Sequence, residues 1–342
     1  MIAPAALPKL PRMDAPPRPA RIATLLLAGL ALFALPCCSK EPPSTAPLRV
    51  ALLLSGPEND EGWNQSAWEG LQKIEQELHA DVRKVTARKA AEIEQAFAAA
   101  AASGFTLVFG HGFEFNAPAA TIAAAWPEVK FVTSGGPATA ANLASVELRT
   151  GEAAWQLGLL AAHLTKSGVV SSLHGEAFEP VKRAAAAFAA GARSVKPEIT
   201  VLEEYLGSWE DTVLAKEKAL AHAAKGADVF FQNADAAGAG VFEACRAKGA
   251  LAFGFNRDQT KKAPDVIVAS GVVDFPDLLL SLATEVRDGK FTGGARSFGL
   301  KEGKVRVVLN PALEKRVPAE ARKAMEAAAA AILKGELRPG GS

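Results

Sequence analysis

Cysteine is scarce in this sequence, and charge of either sign is almost balanced. Three cysteines occur among 342 residues, and no pair of them has the spacing of metal ligands. This excludes a zinc fold or a disulfide framework as the organising principle. Lys and Arg total 38 and Asp and Glu total 37, which gives a net charge of +1. Nucleic-acid-binding domains are normally clearly basic, so we expect no nucleic-acid partner.

Long apolar runs are equally few. The most apolar run, residues 24–35, has about a dozen residues, which is short of the roughly 20 that span a bilayer. Arg18 and Arg21 precede this run. A basic region followed by a short apolar region predicts a secretory signal peptide, here over residues 1–37. Hydrophobic residues make up 49% of the chain and charged residues 22%, so the remainder has the composition of a globular protein.

Two adjacent cysteines follow the apolar run. Leu35 stands three residues before Cys38, and this spacing resembles the bacterial lipoprotein signal, in which the cysteine is lipidated and becomes the first residue. Cys37 is the alternative lipidation site, and an ordinary secretory signal is the alternative interpretation. Residues 38–47 are polar and Pro-rich, which favours an extended tether. We therefore expect a lipid-anchored protein of the bacterial cell envelope that faces the periplasm or the exterior.

The rest of the chain alternates short apolar runs with amphipathic runs, and this alternation starts twice. Such a pattern predicts an α/β fold with two doubly wound parallel-sheet lobes. We expect the first lobe over residues 48–150, with a return at about 274–292, and the second over 151–273, with about 293–312. Residues 313–342 are expected to form a C-terminal helix and tail. Ligands of such sheets bind at the carboxyl ends of strands, so the cleft between the lobes is the expected site.

Loops after the predicted strands combine aromatic, amide and carboxylate side chains. Aromatic rings stack on a flat heterocycle, and amides and carboxylates accept hydrogen bonds from the hydroxyls of a sugar. For Trp63 the alternative is a surface position beside a helix cap, with Asn64 at or near the cap, and for one of Phe113 and Phe115 it is core packing. The candidate ligand-binding residues are Asp60, Trp63, Asn64, Phe113, Phe115, Asn116, Phe178, Asn233, Asp235, Asn256 and Asp258.

Motifs of common enzymes are missing. The sequence has no GxSxG, SxxK or HExxH motif and no phosphate-binding loop. His174 and Glu176 form the only local acid/base pair, which keeps a secreted α/β hydrolase as an alternative. We expect no enzymatic activity, no cofactor and no metal.

Residues 64–71 read Asn-Gln-Ser-Ala-Trp-Glu-Gly-Leu, which after a strand and an acidic loop resembles the basic-membrane-protein family. Members of this family are substrate-binding lipoproteins of ABC transporters, and several bind purine nucleosides. Further similar stretches, in the same order along nearly the whole mature chain, are residues 111–115, 151–162, 180–183, 207–211, 226–232 and 288–294.

The resemblance implies a type I periplasmic-binding-protein fold, with two lobes joined by three crossovers and a ligand held by hinge closure. It also implies that Trp63 stacks on the base and that Phe113 or Phe115 lines the opposite wall with Phe178. Asp60, Asn64 and Asp235 would be polar contacts. A permease and an ATPase would be the partners, and we expect a monomer. The remaining alternative is a lipid-anchored ligand sensor with the same fold.

Three positions depart from the family pattern. Ala117 and Asn256 stand where the family tends to have Asp, and Val273 stands where nucleoside binders often have Lys. Because unpaired polar groups in a buried site discriminate strongly, such changes can switch the ligand. We therefore expect a nucleoside, a nucleobase or a similar small polar heterocycle.

Overall fold

The computed structural model describes residues 47–340, in which two α/β lobes are each built around a six-stranded sheet. The expected signal peptide, both candidate lipidation cysteines and nearly all of the tether lie outside the described residues. In the described part of the chain, no helix is both long and apolar enough to cross a membrane.

Helices and strands alternate along most of the described chain. The elements of the first half are β1 (Arg49–Leu54), α1 (Trp63–Leu78), β2 (Asp81–Thr86), α2 (Ala90–Ala102), β3 (Leu107–His111), α3 (Asn116–Ala125), β4 (Lys130–Thr133), β5 (Leu143–Leu148), α4 (Gly151–Leu164), β6 (Val169–His174) and α5 (Glu179–Val195). Those of the second half are β7 (Thr200–Tyr205), α6 (Thr212–Ala224), β8 (Val229–Asn233), α7 (Gly238–Lys248), β9 (Leu251–Gly254), β10 (Ile267–Val273), α8 (Phe275–Arg287), β11 (Gly294–Phe298), β12 (Val305–Leu309) and α9 (Ala319–Lys334).

Each lobe holds one sheet. The strand order is β11-β5-β4-β3-β1-β2 in the first sheet and β12-β10-β9-β8-β6-β7 in the second. All neighbouring strands run parallel except β12, which pairs antiparallel with β10. The prediction of two doubly wound parallel-sheet lobes is confirmed.

The chain passes between the lobes three times, namely from β5 to α4, from β10 to α8 and from β11 to β12. The second passage returns to the first lobe, where α8 packs beside α1. The sequence analysis ended this return at about residue 292 and assigned about 293–312 to the second lobe. In the structure, β11 pairs with β5 of the first sheet. Only β12 belongs to the second sheet, so the return to the first lobe extends to Phe298.

Burial explains why the apolar runs form these elements. Residues 50–54 of β1 are fully buried, as expected for a parallel strand covered by helices on both faces.

Glycines on α4 and α5 allow the backbones of these two helices to come into contact. A Cβ at Gly158 would lie 1.9 Å from the Phe188 carbonyl oxygen, and a Cβ at Gly191 would lie 2.0 Å from that of Trp155. Larger side chains at either glycine would separate these helices.

The passages between the lobes are tied together by ion pairs. Arg149 Nε donates to Glu152 Oε1 at 2.6 Å, and Arg149 Nη2 donates to Glu302 Oε2 at 2.5 Å. The other oxygen of the buried Glu152 accepts a hydrogen bond from the Leu300 backbone N–H. The first and third passages therefore share one buried carboxylate.

The second lobe also encloses Cys245 on α7. This cysteine is fully buried, and its surroundings are apolar. Burial raises the pKa of the Cys245 thiol because the thiolate loses its hydration. Cys245 thus acts as a small hydrophobic side chain and is unreactive in the folded protein.

Candidate functional site

A cavity of about 450 Å³ lies between the two lobes, at the carboxyl ends of their strands. The loops after β1, β3 and β4 line it from the first lobe, and the loops after β6, β7, β8 and β9 line it from the second. Among the predicted site residues, those that line this cavity are Asp60, Trp63, Asn64, Phe113, Phe178, Asn233, Asp235 and Asn256.

Asp60 organises the loop that enters α1. Its Oδ1 accepts hydrogen bonds from the backbone N–H groups of Gly62 and Gln65, and its Oδ2 accepts from the backbone N–H and the side-chain amide of Asn64. The structure places the N-cap at Gly62 and Asn64 two residues further on, so Asn64 lies near the cap as expected, and Asp60 supplies the capping carboxylate. Both oxygens of Asp60 are occupied by its own loop.

Asn64 is left with an unpaired acceptor. Its amide nitrogen donates to Asp60 Oδ2 at 2.8 Å, an oxygen that also accepts from the Asn64 backbone N–H. Asn64 Oδ1 is buried and has no hydrogen-bond partner within residues 47–340. Unpaired buried acceptors cost free energy, so this oxygen is suited to a donor brought by a ligand.

Trp63 is held against the first lobe by His111. The two rings stack with centroids 4.5 Å apart and planes inclined by 22°, and Phe275 packs edge-on at 4.7 Å. His111 Nε2 also lies 3.0 Å from the Trp63 carbonyl oxygen. Burial lowers the pKa of His111 to about 3, so the imidazole is neutral at physiological pH. The sequence analysis missed His111, the last residue of β3, as a support for the predicted stacking ring.

The second lobe presents Phe178 and Trp209 to the cavity. Their ring centroids lie 6.5 Å apart, with planes inclined by 31°. Trp209 packs directly against Gly175, where a Cβ would come within 2.2 Å of the indole ring. Trp209 was not among the predicted site residues. Its signal was the same one that pointed to Trp63, namely an aromatic residue in the loop after a strand.

A cluster of amide and carboxylate side chains from the second lobe lines the cavity. Asn256 Nδ2 lies 3.2 Å from both Asn233 Oδ1 and Asp235 Oδ1. Asp235 Oδ1 also accepts a hydrogen bond of 3.1 Å from the backbone N–H of Trp63, which belongs to the other lobe. Burial raises the pKa of Asp235 to about 7, and the charge of Asp60 adds to this rise.

Further polar contacts link the lobes around the cavity. Gln259 Nε2 donates to the Glu61 carbonyl oxygen at 3.0 Å. Ion pairs between the lobes connect Arg88 with Glu210, Arg257 with Glu69, and Lys262 with Glu61. Together with the Trp63–Asp235 hydrogen bond, these contacts show that the lobes are in a closed arrangement.

Three predicted residues do not reach the cavity. Phe115 is fully buried and packs edge-on against Phe97, so core packing is its role. Asn116 is also buried, and its side chain is occupied by Thr133 and Ala138. Asp258 is exposed and accepts hydrogen bonds from Thr260 instead.

The predicted acid/base pair is separated in the structure. His174 is fully buried, packs against Tyr205 and Phe231, and pairs through Nε2 with Ser172 Oγ at 2.7 Å. Burial lowers the pKa of His174 to about 3. Glu176 lines the cavity, whereas His174 does not. The pair therefore does not converge on the cavity.

Two parallel-sheet lobes that close over a cavity at the ends of their strands define the type I periplasmic-binding-protein fold. The chain belongs to the family described as "ABC transporter substrate-binding protein PnrA-like", whose model matches residues 48–333. The resemblance noted in the sequence is confirmed. This is a family of substrate-binding proteins of ABC transporters and not an enzyme family, and such proteins act outside the cytoplasm.

Individual relatives agree with this assignment. A purine-binding protein of Brucella abortus is 28% identical over 295 residues, which cover 85% of this chain and 83% of that protein. The ABC transporter nucleoside-binding protein BmpA of Lactococcus lactis is 29% identical over 279 residues, which cover 74% and 79%. A solved ABC transporter solute-binding protein from Aeropyrum pernix has the same fold, with a TM-score of 0.79 at 24% identity, and covers 86% of this chain and 94% of its own.

Proposed function

We propose that this protein captures a nucleoside, a nucleobase or a similar small polar heterocycle for an ABC importer and leaves it chemically unchanged. The observation that carries the proposal is the placement of aromatic rings from both lobes around one cavity between them. Trp63 and Phe113 come from the first lobe, and Phe178 and Trp209 from the second. A flat ring between them would bury its faces in both lobes and so favour closure.

The polar groups of the cavity fit the edge of such a ligand. Asn64 Oδ1 offers an unpaired acceptor, and Asn233, Asp235 and Asn256 lie together at the second lobe. Similarity adds support, because the Brucella abortus relative is named a purine-binding protein and the Lactococcus lactis relative a nucleoside-binding protein. A cavity of about 450 Å³ is within the usual range for small-ligand sites.

The family departures bear on which heterocycle is bound. Ala117 is exposed and Val273 is buried, and neither lines the cavity. Asn256 lines it and donates to Asn233 and Asp235. The proposed ligand contacts are therefore the residues that line the cavity. The three positions that differ from the family pattern are compatible with a nucleobase as well as a nucleoside.

Delivery requires the protein to stay near a permease and its ATPase. We place the lipid on Cys38, with residues 38–47 as the tether and the folded part acting as a monomer. Closure around the ligand presents both lobes to the permease together, which an open form cannot do.

Calorimetry of the chain from Ser39 onwards against nucleosides and nucleobases tests the binding proposal. Saturable binding of at least one of them, with recovery of the unchanged compound, is expected. No binding across the panel, or conversion of the compound, would overturn it. In cells, deletion of the protein should abolish uptake of that compound, and Cys38→Ser should release the protein from the membrane fraction. Binding in vitro with uptake unaffected would favour a ligand sensor.

A further inference from the structure

The charged groups that line the cavity are mostly acidic. They comprise six carboxylates and two guanidinium groups, which are Asp60, Glu114, Glu147, Glu176, Glu210, Asp235, Arg88 and Arg183. Both guanidinium groups are already paired, Arg88 with Glu210 at 2.6 Å and Arg183 with Glu147 at 3.6 Å. The cavity therefore offers many acceptors and, in the described part of the chain, no lining cation without an acidic partner.

Glu114 and Glu176 come from opposite lobes, after β3 and β6, and neither forms an ion pair within residues 47–340. Of the other four carboxylates, Glu147 and Glu210 are ion-paired, and Asp60 and Asp235 accept hydrogen bonds from backbone and side-chain amides. The Glu114 carboxylate folds back over Gly112, where a Cβ would lie 2.5 Å from its Oε2. Burial raises the pKa of Glu114, and the charge of Glu176 adds a smaller rise. Both carboxylates line the same cavity.

The unpaired Asn64 Oδ1 belongs to the same end of the cavity. Asn64 is only 6% exposed, and its side-chain nitrogen lies beside Gly56. The neighbouring residue Ser55 contacts the Glu114 carboxylate, so one stretch of the loop after β1 touches both side chains. Two like charges and an orphaned acceptor leave this end short of hydrogen-bond donors.

We propose, on the basis of the function proposed above, that Glu114 and Glu176 receive an amino or ammonium group of the ligand together with Asn64 Oδ1. The cleft then prefers amino-substituted or cationic heterocycles to their oxo-substituted counterparts. An oxo group would face acceptors at this end, and an anionic ligand would be repelled by them. A donor between Glu114 and Glu176 offsets their mutual repulsion in the closed arrangement, which couples the chemistry of the ligand to the movement of the lobes.

Matched compounds test this preference in calorimetry of the chain from Ser39 onwards. Adenosine and inosine differ in an amino and an oxo group at one ring position, as do cytidine and uridine, and adenosine monophosphate adds negative charge. Because hydrogen bonds to charged groups are the strong ones, the amino compound of a pair should bind roughly tenfold or more tightly than its oxo partner. Adenosine monophosphate should bind more weakly than adenosine.

Glu176→Gln removes one of the two charges while keeping the shape of the side chain, and Glu114→Gln is a second, independent variant. Either should reduce the amino/oxo preference to roughly threefold or less, mainly by weakening the amino compound. Glu94→Gln removes the same charge from the exposed face of α2 and should leave the preference unchanged. Inosine binding as tightly as adenosine, or an unaltered ratio in both cleft variants, would overturn this inference while leaving heterocycle capture intact. Failure of every compound to bind would instead overturn the proposed function.

Discussion

The Asp235 carboxylate of the second lobe accepts a hydrogen bond of 3.1 Å from the backbone N–H of Trp63 in the first lobe. The donor belongs to the first turn of α1, whose N–H groups have no partner within the helix. One carboxylate therefore caps a helix of the opposite lobe and positions the residue proposed to stack on the ligand. The hydrogen bond that holds the lobes together in the closed arrangement thus also positions a side chain of the binding site.

Replacement of Trp63 should weaken ligand binding. Trp63→Ala removes a ring that lines the cavity and leaves His111 without its stacking partner. The loss should be roughly 1–3 kcal/mol of binding free energy, the usual value for stacking on a base. Calorimetry with the tightest nucleoside of the panel measures it. Trp126→Ala, at an exposed tryptophan of the first lobe outside the cavity, is the matched control and should bind normally.

Asp235 should make stability fall with rising pH. Its pKa is raised to about 7 in the folded protein, against about 3.9 in the unfolded chain. The folded state therefore retains a proton that the unfolded state releases, and the resulting stabilisation is complete below about pH 4 and is lost as the pH rises to about 7.

Asp235→Asn cannot titrate, so it isolates this effect. Between about pH 4 and pH 7, the free energy of unfolding of the unmodified protein should fall by roughly 2–4 kcal/mol relative to that of the variant. Urea unfolding across this pH range gives the difference, and Glu94→Gln should run parallel to the unmodified protein. A constant difference between unmodified protein and Asp235→Asn would contradict the assigned pKa.

Gly175 should matter for affinity and little for stability. A methyl group at this position would collide with Trp209, whose half-buried ring can move aside into the cleft. Gly175→Ala should therefore weaken ligand binding several-fold with little change in the melting temperature. Trp209→Ala should weaken ligand binding to a similar extent. The double variant should lose no more affinity than either single variant, because each change removes the Trp209 ring from the same place in the cavity. Additive losses would show that Gly175 acts in another way.

Arg149 should stabilise the passages between the lobes. Arg149→Ala leaves Glu152 with a buried charge and one fewer partner, because Glu152 is only 5% exposed. The free energy of unfolding should decrease by roughly 3 kcal/mol. Arg246→Ala breaks an exposed ion pair with Asp265 and should change stability far less. Equal losses in the two variants, measured by urea unfolding, would argue against a role for the buried carboxylate.

Sequence patterns predicted the two lobes because buried parallel strands are continuous apolar runs, as in β1. The same reasoning missed β5 and β11. The strand β11 (Gly-Ala-Arg-Ser-Phe) lies at a sheet edge and alternates polar with apolar residues, so it has no such run. Its omission is also why the lobe boundary was placed at residue 292.

The sequence correctly predicted cavity-lining residues where the position of a loop was enough to place the side chain in the cavity, as for Trp63 and Asp235. The prediction failed where the direction of the side chain determined whether it reached the cavity. Phe113 and Phe115 are two residues apart in one short helical turn, and that turn directs one into the cavity and the other into the core. Composition and spacing carry no information about which is which. Trp209 was overlooked because its loop was judged only by similarity.

Cys245 has a practical consequence for observing the movement of the lobes. It is the only cysteine of residues 39–342, and its sequestered thiol is protonated and out of reach of maleimide reagents. One cysteine introduced on the exterior of each half would therefore take up a fluorophore pair without any background labelling. Energy transfer between the two dyes would then report opening and closing in real time, on a protein that keeps its native Cys245.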